Sequence, residues 1–236
     1  MIVLLRRDGA APGRRAGLAE GEGHHLRVRR ARAGDPVELR DGFGLVGRGR
    51  LVESDPDWEV EIESLAPTPP PAPLVLGVGA GDRDRFAAMV KKAVELGVTA
   101  VVPLETERTP GVASRLRPAQ LDRLRRLALE AVKQSGNPWA SAVEAPAGLA
   151  EFLGRAAGGE RWLADPAGGA PPARLEHDDS VILVGPEGGL TEGERAEVLA
   201  AGYRAVILGP HILRFETAAL AAAAAVQAAR LRGRDG

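Results

Sequence analysis

Downstream of residue 73 the sequence alternates short apolar runs with amphipathic segments of helical spacing, and this alternation limits the possible folds most strongly. Strands that are apolar on both faces and separated by helices are typical of a parallel sheet covered by helices. The pattern therefore predicts an α/β domain over residues 74–236. The predicted strands are Leu74–Val78, Ala100–Val102, Arg161–Ala164, Val181–Val184 and Ala205–Leu208.

The helices between these strands are predicted from apolar residues that recur every three or four positions. From Phe86 to Gly97 this spacing places Lys91, Lys92 and Glu95 on the exposed face of a helix. Thr191 and Glu194 have the spacing of a capping box, which marks a helix start. An alanine-rich helix is predicted from about Glu216 to Leu231.

The first 66 residues have a different pattern, with side chains that alternate every two residues. Pro36–Arg40 and Trp58–Glu63 are predicted strands, and Asp41–Gly44 is a turn signal. We predict a small β-barrel over residues 1–66. Residues 67–73 contain five prolines, which favour an extended chain, and are predicted to be a linker.

Composition excludes several classes of protein. The chain has no cysteine, so disulfides and thiolate metal sites are ruled out, and its four histidines lack metalloprotease spacing. We therefore expect no metal. No apolar run reaches the roughly 18 residues that a membrane helix needs, and no secretory signal is recognisable. We expect a soluble cytoplasmic protein with no membrane partner.

Positive charge is concentrated at the amino-terminal end. Residues 1–50 hold eleven arginines against six acidic residues, although the net charge of the chain is −1. If residues 26–29 form a strand, Leu26 and Val28 point inward, and Arg27 and Arg29 point outward together with His25. A row of cations suits a phosphate backbone, and the alternative is a charged face that only keeps the protein soluble.

Two glycine-bearing loops follow predicted strands and are candidates for a ligand site. The first is Gly185–Gly189 and the second is Leu208–Thr217. Glycine lets the backbone approach a ligand closely, and loops that leave parallel strands at one edge of a sheet form a crevice there. The pattern predicts a binding site for a flat, partly apolar cofactor.

Gly77–Gly81 offers a competing interpretation, because it lies between a strand and a helix as a dinucleotide-binding loop does. Glu105 is suitably placed to bind a ribose, but the third glycine of the motif is replaced by Asp82. This alternative makes the protein an NAD-dependent oxidoreductase. A third possibility is a non-catalytic rRNA-binding assembly module, which needs only the arginine-rich face.

Five segments together resemble the RsmE family of small-subunit (16S) rRNA uridine-N3 methyltransferases, which are of the SPOUT class. They are His24–Arg30 with Gly34–Asp35, Lys92–Val98 with Glu107–Thr109, Glu130–Ser135, Val184–Leu190 and Leu208–Thr217. The resemblance implies a PUA-like β-barrel, a SPOUT α/β domain with a trefoil knot, a homodimer, and S-adenosyl-L-methionine as methyl donor. The partner would be ribosomal RNA or the small ribosomal subunit.

The resemblance also implies roles for individual residues. The cofactor would be bound by Leu163, Val184, Gly185, Pro186, Glu187, Gly188, Gly189, Leu208, Gly209, Ile212, Leu213, Arg214 and Thr217. RNA would be bound by His25, Arg27, Arg29, Arg30, Lys92, Arg108 and Gln134. The family commonly has an arginine after Gln134-Ser135, whereas this chain has Gly136. If that arginine contacts RNA in the family, another residue must take its place in this chain.

The candidate catalytic residues are Arg214 and Glu216. Methylation of uracil N3 requires loss of a proton, and a cation such as Arg214 can stabilise the negative charge that develops on the ring. The alternative for Arg214 is a structural ion pair with Glu216 or Glu187. Thr217 is either the helix N-cap or a contact to the methionine part of the cofactor.

Overall fold

The computed structural model describes residues 1–54, 57–79, 81–109, 116–155 and 159–234. The chain forms two compact units. The first comprises Met1–Pro70 and Leu129–Ala140, and the second comprises Pro71–Ala128 and Ser141–Gly236. The division at residue 70 lies within the predicted linker, but the boundaries predicted from sequence did not assign Leu129–Ala140 to the first unit.

The first unit is built on a five-stranded sheet with the order β1-β3-β4-β5-β2, in which β1 and β3 are parallel and the other neighbours antiparallel. An isolated antiparallel bridge joins Leu5 to Leu18. The two-residue alternation is confirmed, since Trp58, Val60 and Ile62 all join the buried core. The elements are β1 (Ile2–Leu4), β2 (Arg15–Gly17), α1 (Glu22–Val28), β3 (Pro36–Arg40), β4 (Leu45–Ser54) and β5 (Asp57–Pro67).

The strand considered for residues 26–29 is wrong, because His25, Leu26 and Arg27 lie in helix α1. Leu26 is buried, but Val28 is 67% exposed. Residues two apart are about 200° apart around a helix, so Leu26 and Val28 cannot share one face. For the same reason Arg27 does not share a face with His25 and Arg29, and the continuous row of cations is not formed.

The second unit contains a seven-stranded sheet in the order β12-β10-β11-β6-β7-β8, with β9 also paired to β7. All of these pairs are parallel, as the apolar strands predicted. The strands are β6 (Leu74–Gly79), β7 (Ala100–Glu105), β8 (Ala142–Val143), β9 (Ala147–Gly148), β10 (Glu160–Gly169), β11 (Ser180–Val184) and β12 (Arg204–Val206). The helices are α2 (Arg83–Glu95), α4 (Leu149–Arg155), α5 (Glu192–Ala200) and α6 (Phe215–Arg234). Helix α3 (Pro118–Ser135) belongs to the second unit as far as Ala128 and to the first unit from Leu129 onward.

Helices cover both faces of this sheet. Leu183 of β11 packs in a cluster with Phe152 of α4 and Val198 of α5. Its neighbours Ile182 and Val184 are also buried, and successive side chains of a strand point to opposite faces. Helix α6 contacts β6, β11 and α2 through a face of small residues that are fully buried. Within the described residues, no helix is long and apolar enough to cross a membrane.

Candidate active site

A pocket of about 290 Å³ lies at the carboxyl ends of strands β10, β11 and β12. Ala164 pairs with Val184 on one side and with Val206 on the other, so the three residues stand side by side across the sheet and line the pocket. The carboxyl edge of a parallel sheet is where open α/β folds usually bind ligands. The lining residues are Leu163–Pro166, Val184–Glu187, Gly189, Leu190, Arg195, Val206–Gly209, His211–Leu213, Phe215 and Ala218.

The first loop of the pocket, residues 185–190, is a tight turn after β11. The Gly189 amide donates to the Pro186 carbonyl at 2.8 Å, which closes the turn, and Gly189 has φ of 69°. A side chain is strained in that left-handed conformation, so glycine is favoured at position 189. The turn exposes backbone groups to the pocket where side chains would otherwise shield them.

Residues outside the turn hold it in place. The predicted capping box is present, since Thr191 Oγ1 accepts from the Glu194 amide and Glu194 Oε2 accepts from the Thr191 amide. The buried Glu194 also accepts from the Glu107 amide through Oε1, at 2.8 Å. Arg108 donates to the Gly188 carbonyl at 2.7 Å. The segment after β7 therefore braces the turn.

The second loop, residues 207–213, connects β12 to α6. The Ile207 amide donates to the Gly169 carbonyl at 2.8 Å, which fixes the start of the loop to β10. Ile212 is 87% exposed although it lines the pocket, and Leu213 lies close to Gly209. The Arg214 carbonyl accepts from the Ala218 amide at 2.9 Å, so the first helical bond of α6 begins at Arg214.

An ion pair that the sequence did not reveal also lines the pocket. Arg195 Nε of α5 lies 2.6 Å from Asp165 Oδ2 of β10. Asp165 sits where the pairing of β10 with β12 shifts register, and its other oxygen accepts from the Ala167 amide. The two residues are 30 positions apart, so no local pattern could have joined them.

Comparison with known proteins identifies the family. A family model described as an RNA methyltransferase domain matches residues 68–227. The ribosomal RNA small subunit methyltransferase E of Synechocystis is 33% identical over 217 residues, covering 87% of this chain and 70% of that protein. The chain belongs to the ribosomal RNA small subunit methyltransferase E family. This confirms the resemblance seen in the five segments.

Two solved structures of methyltransferases are similar to this member of the family over almost its whole length. The methyltransferase E of Neisseria gonorrhoeae bound to S-adenosyl methionine is 31% identical, covers 96% of both chains and has a TM-score of 0.83. A putative methyltransferase of Legionella pneumophila in complex with the same cofactor is 25% identical, covers 97% of both chains and also has a TM-score of 0.83.

Ten of the thirteen residues predicted to bind cofactor line the pocket, and Gly188, Arg214 and Thr217 do not. A side chain at Gly188 would meet Arg108, not the pocket. Thr217 is exposed and lies inside α6, which begins at Phe215, so the N-cap role considered for Thr217 is wrong. The helix starts earlier than the sequence pattern indicated.

The two candidate catalytic residues flank Phe215 at the start of α6. Arg214 is exposed and forms no ion pair with any of the described residues, so the pairs considered with Glu216 and Glu187 are not present. Glu216 is half-buried, and its Oε2 atom is buried without a hydrogen-bond partner in the described part of the chain.

All seven residues predicted to bind RNA are exposed, and three of them have a notable setting. In the first unit, Arg30 has a positive φ of 54°. In the second unit, Lys92 forms an ion pair with Glu95 on the surface of α2, and Arg108 donates to Gly188. The other four are His25 and Arg27 in α1, Arg29 directly after α1, and Gln134 in α3.

The segment Gly77–Gly81 includes Ala80, which lies outside the described residues, and its glycines do not have the environment of a dinucleotide-binding loop. A Cβ at Gly77 would lie 2.4 Å from the Phe152 ring, and one at Gly79 would lie 2.8 Å from Pro186. These glycines allow close packing within the protein. The Asp82 carboxylate accepts from the amides of Asp84 and Arg85, which lowers the pKa of Asp82 and occupies the donors that a phosphate would need.

Among the residues that the structure describes, no group of three or more histidine or acidic side chains could hold a metal ion. The polar side chains lining the pocket are instead Asp165, Glu187, Arg195 and His211, set among apolar residues and exposed backbone. Such a lining can bind an organic ligand with one flat apolar part and several polar groups.

Proposed function

We propose that the protein transfers a methyl group from S-adenosyl-L-methionine to N3 of a uridine in 16S rRNA. The observation that carries the proposal is the pocket between the two loops at the carboxyl edge of the sheet. It occurs in a chain that is similar over 96% of its length to a methyltransferase E solved with this cofactor. Family membership supports small-subunit rRNA as the substrate.

The pocket residues fit the cofactor. Apolar side chains such as Val184, Leu208 and Leu213 suit the adenine ring, and the backbone of the turn at Gly185–Gly189 offers hydrogen-bonding groups without side chains in the way. Asp165 and Arg195 supply charged groups for the polar ends of the molecule. When bound, S-adenosyl-L-methionine supplies an activated methyl group on a positively charged sulfur.

The residues at the start of α6 are suited to the chemistry at uracil. The N3 atom carries a proton that must leave when the methyl group is added, and negative charge then develops on O2 and O4. The guanidinium of Arg214, which forms no ion pair with the described residues, can stabilise that charge. We propose that the half-buried carboxylate of Glu216, whose Oε2 atom has no hydrogen-bond partner among the described residues, accepts the N3 proton. The base must be unpaired, because N3 lies on its pairing edge.

Exposed residues of each unit are proposed to bind the RNA backbone. In the first unit these are His25, Arg27, Arg29, Arg30 and Gln134, and in the second they are Lys92 and Arg108. Phosphate contacts supply most of the affinity of such interfaces and weaken with salt. His25 and Arg27 lie in α1, and Arg29 and Arg30 follow its end, so these cations do not form one row. We propose that they contact more than one strand of folded RNA.

Family resemblance supports further proposals about architecture. We propose that the sheet of the first unit is a PUA-like barrel, that the second unit carries the SPOUT trefoil knot around the two pocket loops, and that the protein works as a cytoplasmic homodimer. The bridge between Leu5 and Leu18 and the placement of both loops at one sheet edge support the first two of these proposals.

The proposal is tested by incubating the protein with small subunits from cells that lack the modification and with labelled S-adenosyl-L-methionine. We expect label in 16S rRNA, recovered after digestion as N3-methyluridine. Glu216→Gln should reduce kcat about 100-fold with unchanged cofactor affinity, whereas Glu192→Gln, at an exposed site in α5, should retain full activity. Cofactor binding without label in RNA would contradict the proposal, as would label at another atom.

A further inference from the structure

Phe43 is exposed, unlike the other phenylalanines of the chain. Phe86, Phe152 and Phe215 are buried, whereas Phe43 is 57% exposed at the tip of the connection between β3 and β4 in the first unit. Exposure of a large aromatic ring forgoes the free energy that its burial would provide. The surroundings of Phe43 show that this exposure is built into the unit.

The backbone on both sides of Phe43 is fixed. The buried Asp41 accepts from the Phe43 amide at 2.7 Å and from the Leu45 amide at 2.9 Å through the same oxygen. Gly42 and Gly44 both have positive φ, of 77° and 97°, which strongly favours glycine. The ring of Phe43 is therefore carried by a turn with a defined conformation.

The turn is also packed tightly against residues 129–140 of the same unit. A Cβ at Gly42 would lie 2.2 Å from Leu129 Cδ1, and one at Gly44 would lie 2.3 Å from the Trp139 ring. The Ala140 amide donates to the Gly42 carbonyl at 2.8 Å. The space beneath the turn is filled, so Phe43 cannot reach the core by a side-chain rotation.

A cation is held next to the exposed ring. The guanidinium carbon of Arg7 lies 5.5 Å from the centroid of Phe43, and Arg7 Nε lies 2.8 Å from Asp41 Oδ2. Asp41 thus fixes both the turn and the arginine, while 56% of the Arg7 side chain stays exposed. Trp139 pairs with Phe43 through an isolated antiparallel bridge.

We infer that Phe43 and Arg7 form a stacking site for an unpaired nucleobase of the RNA substrate. Exposed aromatic rings and arginine planes are the groups on which proteins stack unpaired bases, and the positive charge of Arg7 favours RNA over an apolar protein surface. The inference rests on the proposed function. It adds a base contact in the first unit, separate from the target uridine and from the exposed cations of α1.

The test measures binding of a 12-nucleotide single-stranded RNA, labelled with fluorescein, by fluorescence anisotropy. Phe43→Ala should weaken binding about tenfold, and Phe43→Trp should retain it, because stacking needs an aromatic face. Val28→Ala, which removes another exposed apolar side chain of the first unit, should change nothing. Phe43→Ala should leave the salt dependence of binding unchanged, because the ring carries no charge. Arg7→Gln should also weaken binding, because it removes the cation beside the ring.

The same variants are compared in methylation of small subunits, with cofactor affinity and thermal unfolding as controls for the fold. We expect Phe43→Ala to raise KM for the subunit about tenfold with unchanged kcat. If Phe43→Ala binds and methylates RNA like the wild type, or if it only alters self-association, the stacking site is wrong while the proposed function stands. A wild-type protein that methylates no rRNA contradicts the proposed function instead.

Discussion

At the residue scale, the two adjacent glycines of the pocket turn differ in how strongly their backbone conformation favours glycine. Gly189 has φ of 69° and lines the pocket, whereas Gly188 has no such conformation and faces Arg108 at ordinary contact distance. Only the first therefore needs glycine for its backbone geometry. The second leaves room for a methyl group.

Replacement of these glycines by alanine should separate the two cases. Gly189→Ala imposes about 1–2 kcal/mol of backbone strain or moves the turn, so we expect a cofactor affinity about tenfold lower by calorimetry. Gly188→Ala is the matched control, and its cofactor affinity should stay within about twofold of the wild type. Such a change is less than 1 kcal/mol, which corresponds to about fivefold in affinity. Equal losses in both variants would mean that the turn contacts the cofactor through a different surface.

Tyr203 is a second residue whose behaviour follows from its surroundings. It lies in the core beside Val198, and its hydroxyl has no hydrogen-bond partner in the described part of the chain. Burial raises the pKa of Tyr203 to about 12, while the charge of Arg161 acts in the opposite direction. The folded state therefore favours the neutral phenol.

Tyr203→Phe should change stability in a pH-dependent way. Near pH 7 the variant should equal the wild type or gain up to about 1 kcal/mol, because an unsatisfied hydroxyl is removed. The pKa of Tyr203 is about 10 in the unfolded chain and about 12 in the folded protein. The wild type therefore loses stability as the pH rises from about 10 toward about 12, because the unfolded chain releases the proton first. The variant has no phenol to titrate and should not show this loss. Urea unfolding of both proteins at pH 7 and 10.5 measures this. A clear destabilisation of the variant at pH 7 would contradict it.

At the scale of single elements, the start of helix α5 links the pocket turn to the segment after β7. The Glu194 carboxylate accepts from the amides of Thr191 and Glu107, and its side chain is buried. Removal of this carboxylate leaves two amide donors without their partner. Loss of Thr191 Oγ1 removes only one side of the capping box.

We expect Thr191→Ala to lower the free energy of unfolding by about 1 kcal/mol and Glu194→Ala to lower it by about 2 kcal/mol or more. Glu194→Ala should also weaken cofactor binding, because the turn loses its brace. Glu197→Ala, at an exposed position of the same helix, is the control and should have little effect. Denaturant unfolding and calorimetry give both quantities. If Glu194→Ala behaves like Glu197→Ala, the bracing role is wrong.

The elements also show which parts of the fold were predictable. Five of the seven strands of the parallel sheet follow from local apolar runs, whereas the two-residue strands β8 and β9 were not predicted. Helix α2 follows from apolar spacing, α6 from its alanine content, and the capping box at Thr191 from a three-residue spacing. Residues 26–29 were misjudged because their one buried side chain, Leu26, is compatible with a strand and with a short helix. Periodicity cannot distinguish a helix from a strand in so short a segment, and the packing of the segment against the rest of the unit decides its conformation.

At the scale of the whole molecule, the unpredicted features depend on contacts between distant residues. The packing of Leu129 on Gly42 places residues 129–140 in the first unit, and the pairing of Asp165 with Arg195 places a charge pair in the pocket. The two glycine-bearing loops were predictable because parallel strands bring their carboxyl ends to one edge. Their joint pocket is the central claim about this protein.

A crystal structure of the protein grown with S-adenosyl-L-methionine tests that claim most directly. We predict the adenosine between residues 185–190 and 207–213, in contact with the carboxyl ends of β10, β11 and β12. Cofactor density beside Gly77–Gly81, or anywhere else away from these loops, would contradict the account.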